Sequence, residues 1–265
     1  MTFIIRPSSL PMFFDCARRQ AARSFPVEIV SAGYQLRQIA SSVGASVGTA
    51  THSAVASCMT AKMATGELGN QSEDEDRGVE EFGKQISYGV SWDATTPNAG
   101  TGKRQVVRQY RAYRGTTANR VIPIAVEQRI ECRTRRGNVL SGGIDLTDDG
   151  IRDLKTGVTA RSNLAQYGCY SMLVRAGGRS VQHIIEDYIA RVKVDDEQPA
   201  PVEIAYDVAL AERVAANAVA RVEQMYDEFI ATGDNMVFPA NPNSVLCADK
   251  FCPCRHTDFC MEYRR

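Results

Sequence analysis

No apolar run in this 265-residue chain approaches the ~18–20 residues that a membrane-crossing helix requires, so no membrane partner is expected. Arg6 and Pro7 interrupt the short apolar stretch MTFIIRPSSLPMFF, which lacks the layout of a secretory leader, and the expected compartment is the cytoplasm. Excess charge is missing too: 31 Lys and Arg balance 31 Asp and Glu. That excludes a protein coated in basic surface, so a nucleic-acid site must be a local patch. Candidate patches are Arg18, Arg19 and Arg23; Lys103, Arg104, Arg108, Arg111 and Arg114; and Arg129, Arg133, Arg135 and Arg136. Such runs are commonly plain solvated faces. Histidine is scarce, at three residues, which leaves few imidazoles for metal ligation. There is no Walker phosphate loop, no helicase segment and no internal repeat, so any processing of nucleic acid is expected to be independent of ATP.

What is present supports a sizeable core: 44% of the residues are hydrophobic, enough for one large domain or one domain with an appendage. The pattern predicts a helix over 8–24, with Ser8 or Ser9 as N-cap and Pro11 in its first turn. A second helical region spans 34–65, broken by Gly44 and Gly48, and the acidic stretch from Gly66 to Gly78 reads as an exposed loop. Residues 79–114 read as mostly helical with a break from Thr95 to Gly102. Strands are expected over Ala125 to Arg133, Val139 to Leu146 and Ile151 to Lys155, joined by turns at Arg136-Gly137-Asn138 and Asp148-Asp149-Gly150. A helix from about Arg161 to Arg175, β-rich segments between Val181 and Ala205, and a long helix capped by Asp207 and ended by Gly233 follow. The expected organisation is a single domain over 1–265: a mainly helical part (1–120), a sheet core (121–206), and a long helix with a cysteine-rich tail (207–265).

The chemistry concentrates in SGGIDLTDDGIRDLKTGVTARSNLAQYGCY, Ser141 to Tyr170. Asp153 and Lys155 stand two apart in a strand-like segment and so share a face, with Asp145 in the strand before. Two carboxylates and an ammonium converging on one point suit metal-assisted phosphodiester hydrolysis, because hard divalent cations take oxygen ligands. Alone, an Asp-x-Lys is a common polar strand end. Gln166 and Tyr170 lie four apart on the next helix and share a face, where they can position the lysine or the substrate, or simply fill a half-buried layer. His52 is either a structural histidine or a ligand, and Glu127 either an extra acid or an exposed strand residue. Cys247, Cys252, Cys254 and Cys260 crowd fourteen residues, a density that points to zinc or iron–sulfur ligation, with His256 as a fifth candidate. Cys58, Cys132 and Cys169 read as core.

In order, Gly48-x-x-x-His52, Glu127, Gly142-Gly-Ile-Asp145, Asp153-Leu-Lys155 and Gln166-x-x-x-Tyr170 resemble the RecB-like branch of the PD-(D/E)XK nucleases. The resemblance includes the iron–sulfur exonucleases of CRISPR loci and phage recombination. At the ends, the segments from Ser8 to Cys16 and from Phe238 to Cys260 look like that family as well. The resemblance implies an α/β fold: a restriction-endonuclease-like core with a central mixed sheet flanked by helices, a helical N-terminal part, and termini stapled by metal. It implies Mg²⁺ or Mn²⁺ held by His52, Asp145, Asp153 and the Leu154 carbonyl, with Lys155 orienting the attacking water and Gln166 and Tyr170 bracing it. Glu127 is a less certain member. It also implies that Cys16 joins three of the four tail cysteines around a 4Fe–4S cluster, with Zn²⁺ as the alternative and one tail cysteine spare. The implied function is an exonuclease on single-stranded DNA or DNA ends in a bacterial or phage-infected cell, with a single-strand-annealing or CRISPR integration protein as companion. A non-hydrolytic DNA-end-binding subunit and a structure-selective endonuclease stay open.

Overall fold

The computed structural model describes residues 2–160 and 163–260. The chain runs β1 (Ile4–Ile5), a 3₁₀ turn (Pro7–Ser9), α1 (Leu10–Asp15), α2 (Ala17–Ser24), α3 (Pro26–Ser31), β2 (Ser41–Ser42) and α4 (Val43–Thr65). Next come α5 (Gln71–Ser87), β3 (Val90–Ser91), α6 (Ala99–Gly115) and α7 (Thr117–Arg120). The remainder is β4 (Ala125–Arg133), β5 (Val139–Thr147), β6 (Ile151–Gly157), α8 (Leu164–Ala176), β7 (Ile184–Ala190), β8 (Val202–Tyr206) and α9 (Val208–Thr232). The long helices start where a side-chain oxygen satisfies the first free amides: Ser42 for α4, Asn70 for α5, Asn98 for α6 and Asp207 for α9. Both α4 and α9 stop at a left-handed glycine, Gly66 and Gly233.

The central sheet is mixed, in the order β1-β5-β6-β7-β8 with β4 on β5. The β4–β5 and β7–β8 pairs are antiparallel, and β6–β7 is parallel. One face packs under α8, α9 and the N-terminal helices, around Leu140, Ile144, Ile151, Leu173 and Phe229. The other packs under α4 and α6, around Leu146, Leu154, Ile189, Val55 and Tyr110. This is the expected α/β layering, with helices on both faces of the sheet. No helix of the described residues is long and apolar enough to cross a membrane.

Several expectations are corrected. The helix expected over 8–24 breaks at Cys16, whose φ of −153° and ψ of 99° are extended. Residues 34–40 are not helical; the helix begins at Val43, and Gly44 and Gly48 lie inside it. A Cβ on Gly48 would come within 2.8 Å of Thr156 Oγ1, so the glycine lets α4 approach the end of β6. The acidic stretch read as a loop is largely the first two turns of α5, with Glu73 and Asp74 placed where a helix start favours acid. The break expected from Thr95 to Gly102 runs instead over 88–98, and Gly100 and Gly102 are helical. The expected helix start at Arg161 lies outside the described residues.

A tight helix–helix approach sits at Gly168 of α8, where an added Cβ would lie 1.9 Å from the Ala211 carbonyl oxygen of α9. Gly168→Ala should therefore destabilise the fold by about 1–3 kcal/mol through forced backbone shifts. Gly83→Ala, in α5 with nothing within 4 Å, should stabilise it by roughly 0.5–1 kcal/mol. Denaturant unfolding of both variants checks the pair, and equal midpoints would contradict this packing.

Candidate metal-dependent active site

The site forms where β5 parts from β6. The two strands pair at Leu146↔Arg152 and Thr147↔Ile151, and the ladder stops there. Beyond it the Leu154 amide donates to Asp145 Oδ2 at 2.8 Å, so a side-chain carboxylate takes the place of a backbone acceptor. The facing of β5 also changes here: Leu140 and Ile144 belong to the core under α8, Leu146 to the core under α4. On β4 the same switch separates Ile130 and Cys132 from Val126. Between them sits Glu127, which the register places opposite Asp145 and whose φ is +50°. A non-glycine residue at positive φ in a strand is strained, and strain of this kind clusters at functional sites. His52, one turn beyond Gly48 on α4, completes the group, with Nδ1 3.4 Å from Asp145 Oδ2. His52, Glu127 and Asp145 offer ligand atoms that all lie within 4.8 Å of one another.

Asp153 and Lys155 lie on the neighbouring strand, on the α8 side. Asp153 is 1% exposed, and its Oδ2 contacts the Lys155 ammonium. Apart from that ion pair, this buried oxygen has no hydrogen-bond partner among the described residues. Gln166 Nε2 donates to Asp153 Oδ1 at 3.3 Å and to the Tyr170 hydroxyl at 2.9 Å. The glutamine thus braces the acid rather than the lysine. Gly142 makes room for Tyr170: an added Cβ would sit 3.0 Å from its ring.

The charges split the two acids. Burial pushes the Asp153 carboxyl up to about 7, and Asp145 adds to this against the opposing Lys155. For Asp145, burial is outweighed by His52, Lys155 and the Leu154 amide, which hold the carboxyl below its ordinary range. Burial would lower His52, but Asp145 raises it. Lys155 is likewise raised by Asp153 and Asp145 against burial. Glu127 is pushed up by desolvation and by Asp145. A hard divalent cation fits this donor set: bound by His52, Glu127 and Asp145, it would replace protons on crowded carboxylates.

Above the site opens a cleft of about 1190 Å³, with Thr49, Ser53 and Ser57 of α4 on one wall and His52, Glu127 and Lys155 on its lining. Arg77 and Arg191 also face it, the latter paired to Asp93 at 2.7 Å. Most residues of the expected basic patches bond to partners within the chain, although only Arg18 and Arg19 are buried. Arg18 donates to the Phe238 carbonyl, Arg19 to Ser244 and Arg23 to the Phe251 carbonyl, so the first run binds the tail. Arg108 caps the Val194 carbonyl, Arg111 pairs with Glu75 and Arg114 binds Tyr110, while Lys103 and Arg104 are exposed. Arg129 donates to Ser141, Arg133 to the Gly137 carbonyl and Arg136 to Asp227, and Arg135 is exposed. The sequence reading passed over Glu186 and Asp187, two buried acids in the apolar strand β7, a contrast that was itself a signal. Glu186 accepts from the Tyr167 hydroxyl, and Asp187 forms a two-pronged pair with Arg152.

In the tail, Cys16, Cys252, Cys254 and Cys260 are buried and Cys247 is half-buried. The Cys252 and Cys254 sulfurs are 3.5 Å apart, and the Asn241 amide donates to Cys16 Sγ. Neither compact trio of ligand atoms among the described residues, His52–Glu127–Asp145 or Asp148–Asp149–His183, contains a cysteine.

A mixed sheet between helical layers, with acids, a lysine and a histidine converging where two strands part, has the donor set that metal-assisted phosphodiester hydrolysis requires. The profile of the PD-(D/E)XK nuclease superfamily matches residues 8–260, and the chain belongs to that superfamily. No curated protein sequence matches it. Among solved structures, it is similar to a "Putative exonuclease" from Eubacterium rectale at 11% identity and a TM-score of 0.56, over 92% of this chain and 86% of that one, a likeness of fold. LHK-Exo in complex with dAMP matches at 15% identity over 68% of this chain and 96% of that one, with a TM-score of 0.32.

The raised Asp153 carboxyl has a consequence for the metal-free protein. A carboxyl with a folded pKa above its unfolded value gives stability that is present below the ordinary carboxylate pKa and lost as pH rises through about 7. In chelator, this Asp153 contribution to wild-type stability should fall away between about pH 4 and pH 8. Asp153→Asn should lose less over the same interval. Urea unfolding across that range measures the difference, and parallel curves would rule out this environment for Asp153.

Proposed function

We propose that the protein is a metal-dependent deoxyribonuclease, an ATP-independent exonuclease acting on single-stranded DNA or DNA ends in recombination, repair or spacer processing. The observation that supports it most is the convergence of His52, Glu127, Asp145, Asp153 and Lys155 beside one cleft. In this reading His52, Glu127 and Asp145 would hold Mg²⁺ or Mn²⁺, with Asp153 as the further acid beside it. A bound divalent ion supplies Lewis-acid stabilisation of phosphoryl charge and lowers the pKa of water. Lys155 keeps its proton beside two carboxylates and donates to the phosphoryl oxygen on which charge develops. Gln166 fixes Asp153, and Tyr170 fixes Gln166. The whole chain is read as a single nuclease domain.

The second part of the proposal is a thiolate-ligated centre that ties the chain ends, an iron–sulfur cluster by family resemblance with zinc as the alternative. Its support is the burial of Cys16 beside the tail, at the amide of Asn241, and the adjacent Cys252 and Cys254 sulfurs. The half-buried Cys247 is then the spare cysteine.

Asp153→Ala and Lys155→Ala should each cost at least about 2.7–4 kcal/mol of transition-state stabilisation, the scale of a lost charge-stabilising donor. End-labelled linear and circular single-stranded DNA, with Mg²⁺ or Mn²⁺ and with EDTA, make the assay. Loss of linear substrate alone supports the exonuclease. Cleavage of circles points to the endonuclease, and binding without cleavage to the end-binding subunit. Wild-type rates in Asp153→Ala, or activity in EDTA, would defeat the site assignment.

For the tail, Cys16→Ala should release metal and lower Tm, whereas Cys247→Ala should change neither. Elemental analysis of anaerobically purified protein decides between iron and zinc. Unchanged metal content and Tm in Cys16→Ala would remove the staple.

A further inference from the structure

At the far end of the β5–β6 hairpin from Lys155, the turn Asp148-Asp149-Gly150 packs against His183, just ahead of β7. His183 Nε2 lies 3.0 Å from Asp148 Oδ1, and Nδ1 lies 3.4 Å from Asp149 Oδ1. All three residues offer ligand atoms within 4.8 Å of one another. A neutral imidazole has one N–H, so one ring nitrogen must turn its lone pair toward a carboxylate, which is repulsive. The buried nitrogen is Nε2, and it has no hydrogen-bond partner despite the nearby Asp148 oxygen. The Asp148 carboxylate is itself fixed by the Gly150 amide at 2.8 Å. Gly150 has to be glycine here, because a Cβ would sit 2.4 Å from the His183 carbonyl oxygen and 2.6 Å from its ring.

We propose that His183, Asp148 and Asp149 form a second cation site, separate from the nuclease centre, which takes a divalent transition metal of the zinc type. His183 Nε2 and Asp148 are its inner ligands. Asp149 accepts the Nδ1 proton and fixes the tautomer, the usual arrangement of a carboxylate behind a metal-binding histidine. The cation resolves the lone-pair conflict that a neutral imidazole leaves. Its effect is mechanical: β5 and β6 pair over only two residue pairs before they part, and this ladder sets Asp145 against Asp153. A cation bridging the turn to the start of β7 clamps that short ladder from outside the cleft.

The chain has three histidines, so ¹⁵N-histidine spectra resolve His183 directly in the full-length protein. Zinc chloride titrated into the Asp145→Asn variant, in which the nuclease trio is disabled, should move the His183 Nε2 resonance and leave the Nδ1 proton in place. The zinc-induced rise in Tm should be smaller by at least about 4 °C when His183→Gln or Asp148→Asn is added. A His183 ring that stays protonated on both nitrogens near neutral pH, with resonances zinc does not move, would overturn the site. So would an equal rise in Tm with and without His183. Neither result bears on the nuclease reading, which stands or falls on Asp153 and Lys155.

Discussion

The hydrogen bond from the Leu154 amide to Asp145 Oδ2 is the contact on which the site depends. Once β6 leaves β5, that amide has no ladder partner, and a buried orphan amide costs about 1–3 kcal/mol. The carboxylate answers this need and is fixed in position, while His52 and Lys155, with this amide, depress its pKa. A carboxylate held this way stays charged beside His52 and draws it upward in turn. The parting of the strands therefore creates a vacancy in the ladder, a fixed anion to fill it, and a gap through which α4 reaches the sheet. Asp153, one strand over, lacks such donors and carries the strain of burial instead. The two aspartates end with opposite shifts because His52, with Lys155 and the Leu154 amide, outweighs burial at Asp145, whereas burial together with the Asp145 charge outweighs Lys155 at Asp153.

Glycine and a change of facing bring the layers close enough for this to matter. Gly48 lets α4 lie against Thr156, which places His52 within reach of Asp145. The positive φ of Glu127 and the switch of core between Ile144 and Leu146 deliver Glu127 and Asp145 to the α4 side. A regular strand would keep Ile144 and Leu146, two residues apart, on one face, so they could not serve different cores without this interruption. The local irregularity is the structural cost of having a site between two layers.

Much of this was legible in the sequence. β4 has its expected bounds, β5 and β6 extend one and two residues past theirs, and the α9 cap at Asp207 and stop at Gly233 are as expected, because turns and caps are local signals. The shared face of Asp153 with Lys155, and of Gln166 with Tyr170, follows from periodicity alone. What misled was glycine and acid. Gly44 and Gly48 look like breakers but mark close approach, and an acidic run looks like a loop but is a helix start. Such residues mean different things at the surface and at an interface, and only the partner element decides. The N-terminal helix reads as one because nothing in Asp15-Cys16-Ala17 says that the backbone must turn there to meet the tail. Glu127 was ambiguous for the same reason: its role depends on a backbone angle that residue type does not specify.

The balanced charge also finds its explanation in the fold. Arg18, Arg19 and Arg23 close the C-terminal tail onto the N-terminal helices through its carbonyls and Ser244, and Gln35 and Arg37 add further bonds from the same side. The tail is a chain of turns with its own backbone bonds, and the Phe238 and Phe251 carbonyls take guanidinium donors from the N-terminal helices. Arg108 does the same for the loop after β7. Cations enlisted in this way are committed to partners in the chain, and Arg18 and Arg19 are buried as well. A count of arginines therefore overstates what a phosphate backbone could meet on this surface. The cationic groups on the cleft lining are Arg77, Arg191 and Lys155, and two of these already face carboxylates. On the proposed reading, a DNA strand in that cleft would gain little from counterion release and would depend on the divalent ion and on the hydroxyls of Thr49, Ser53, Ser57 and Thr60 along α4. The metal would then hold the substrate as well as assist its hydrolysis, which ties binding and chemistry to the same few atoms around Asp145.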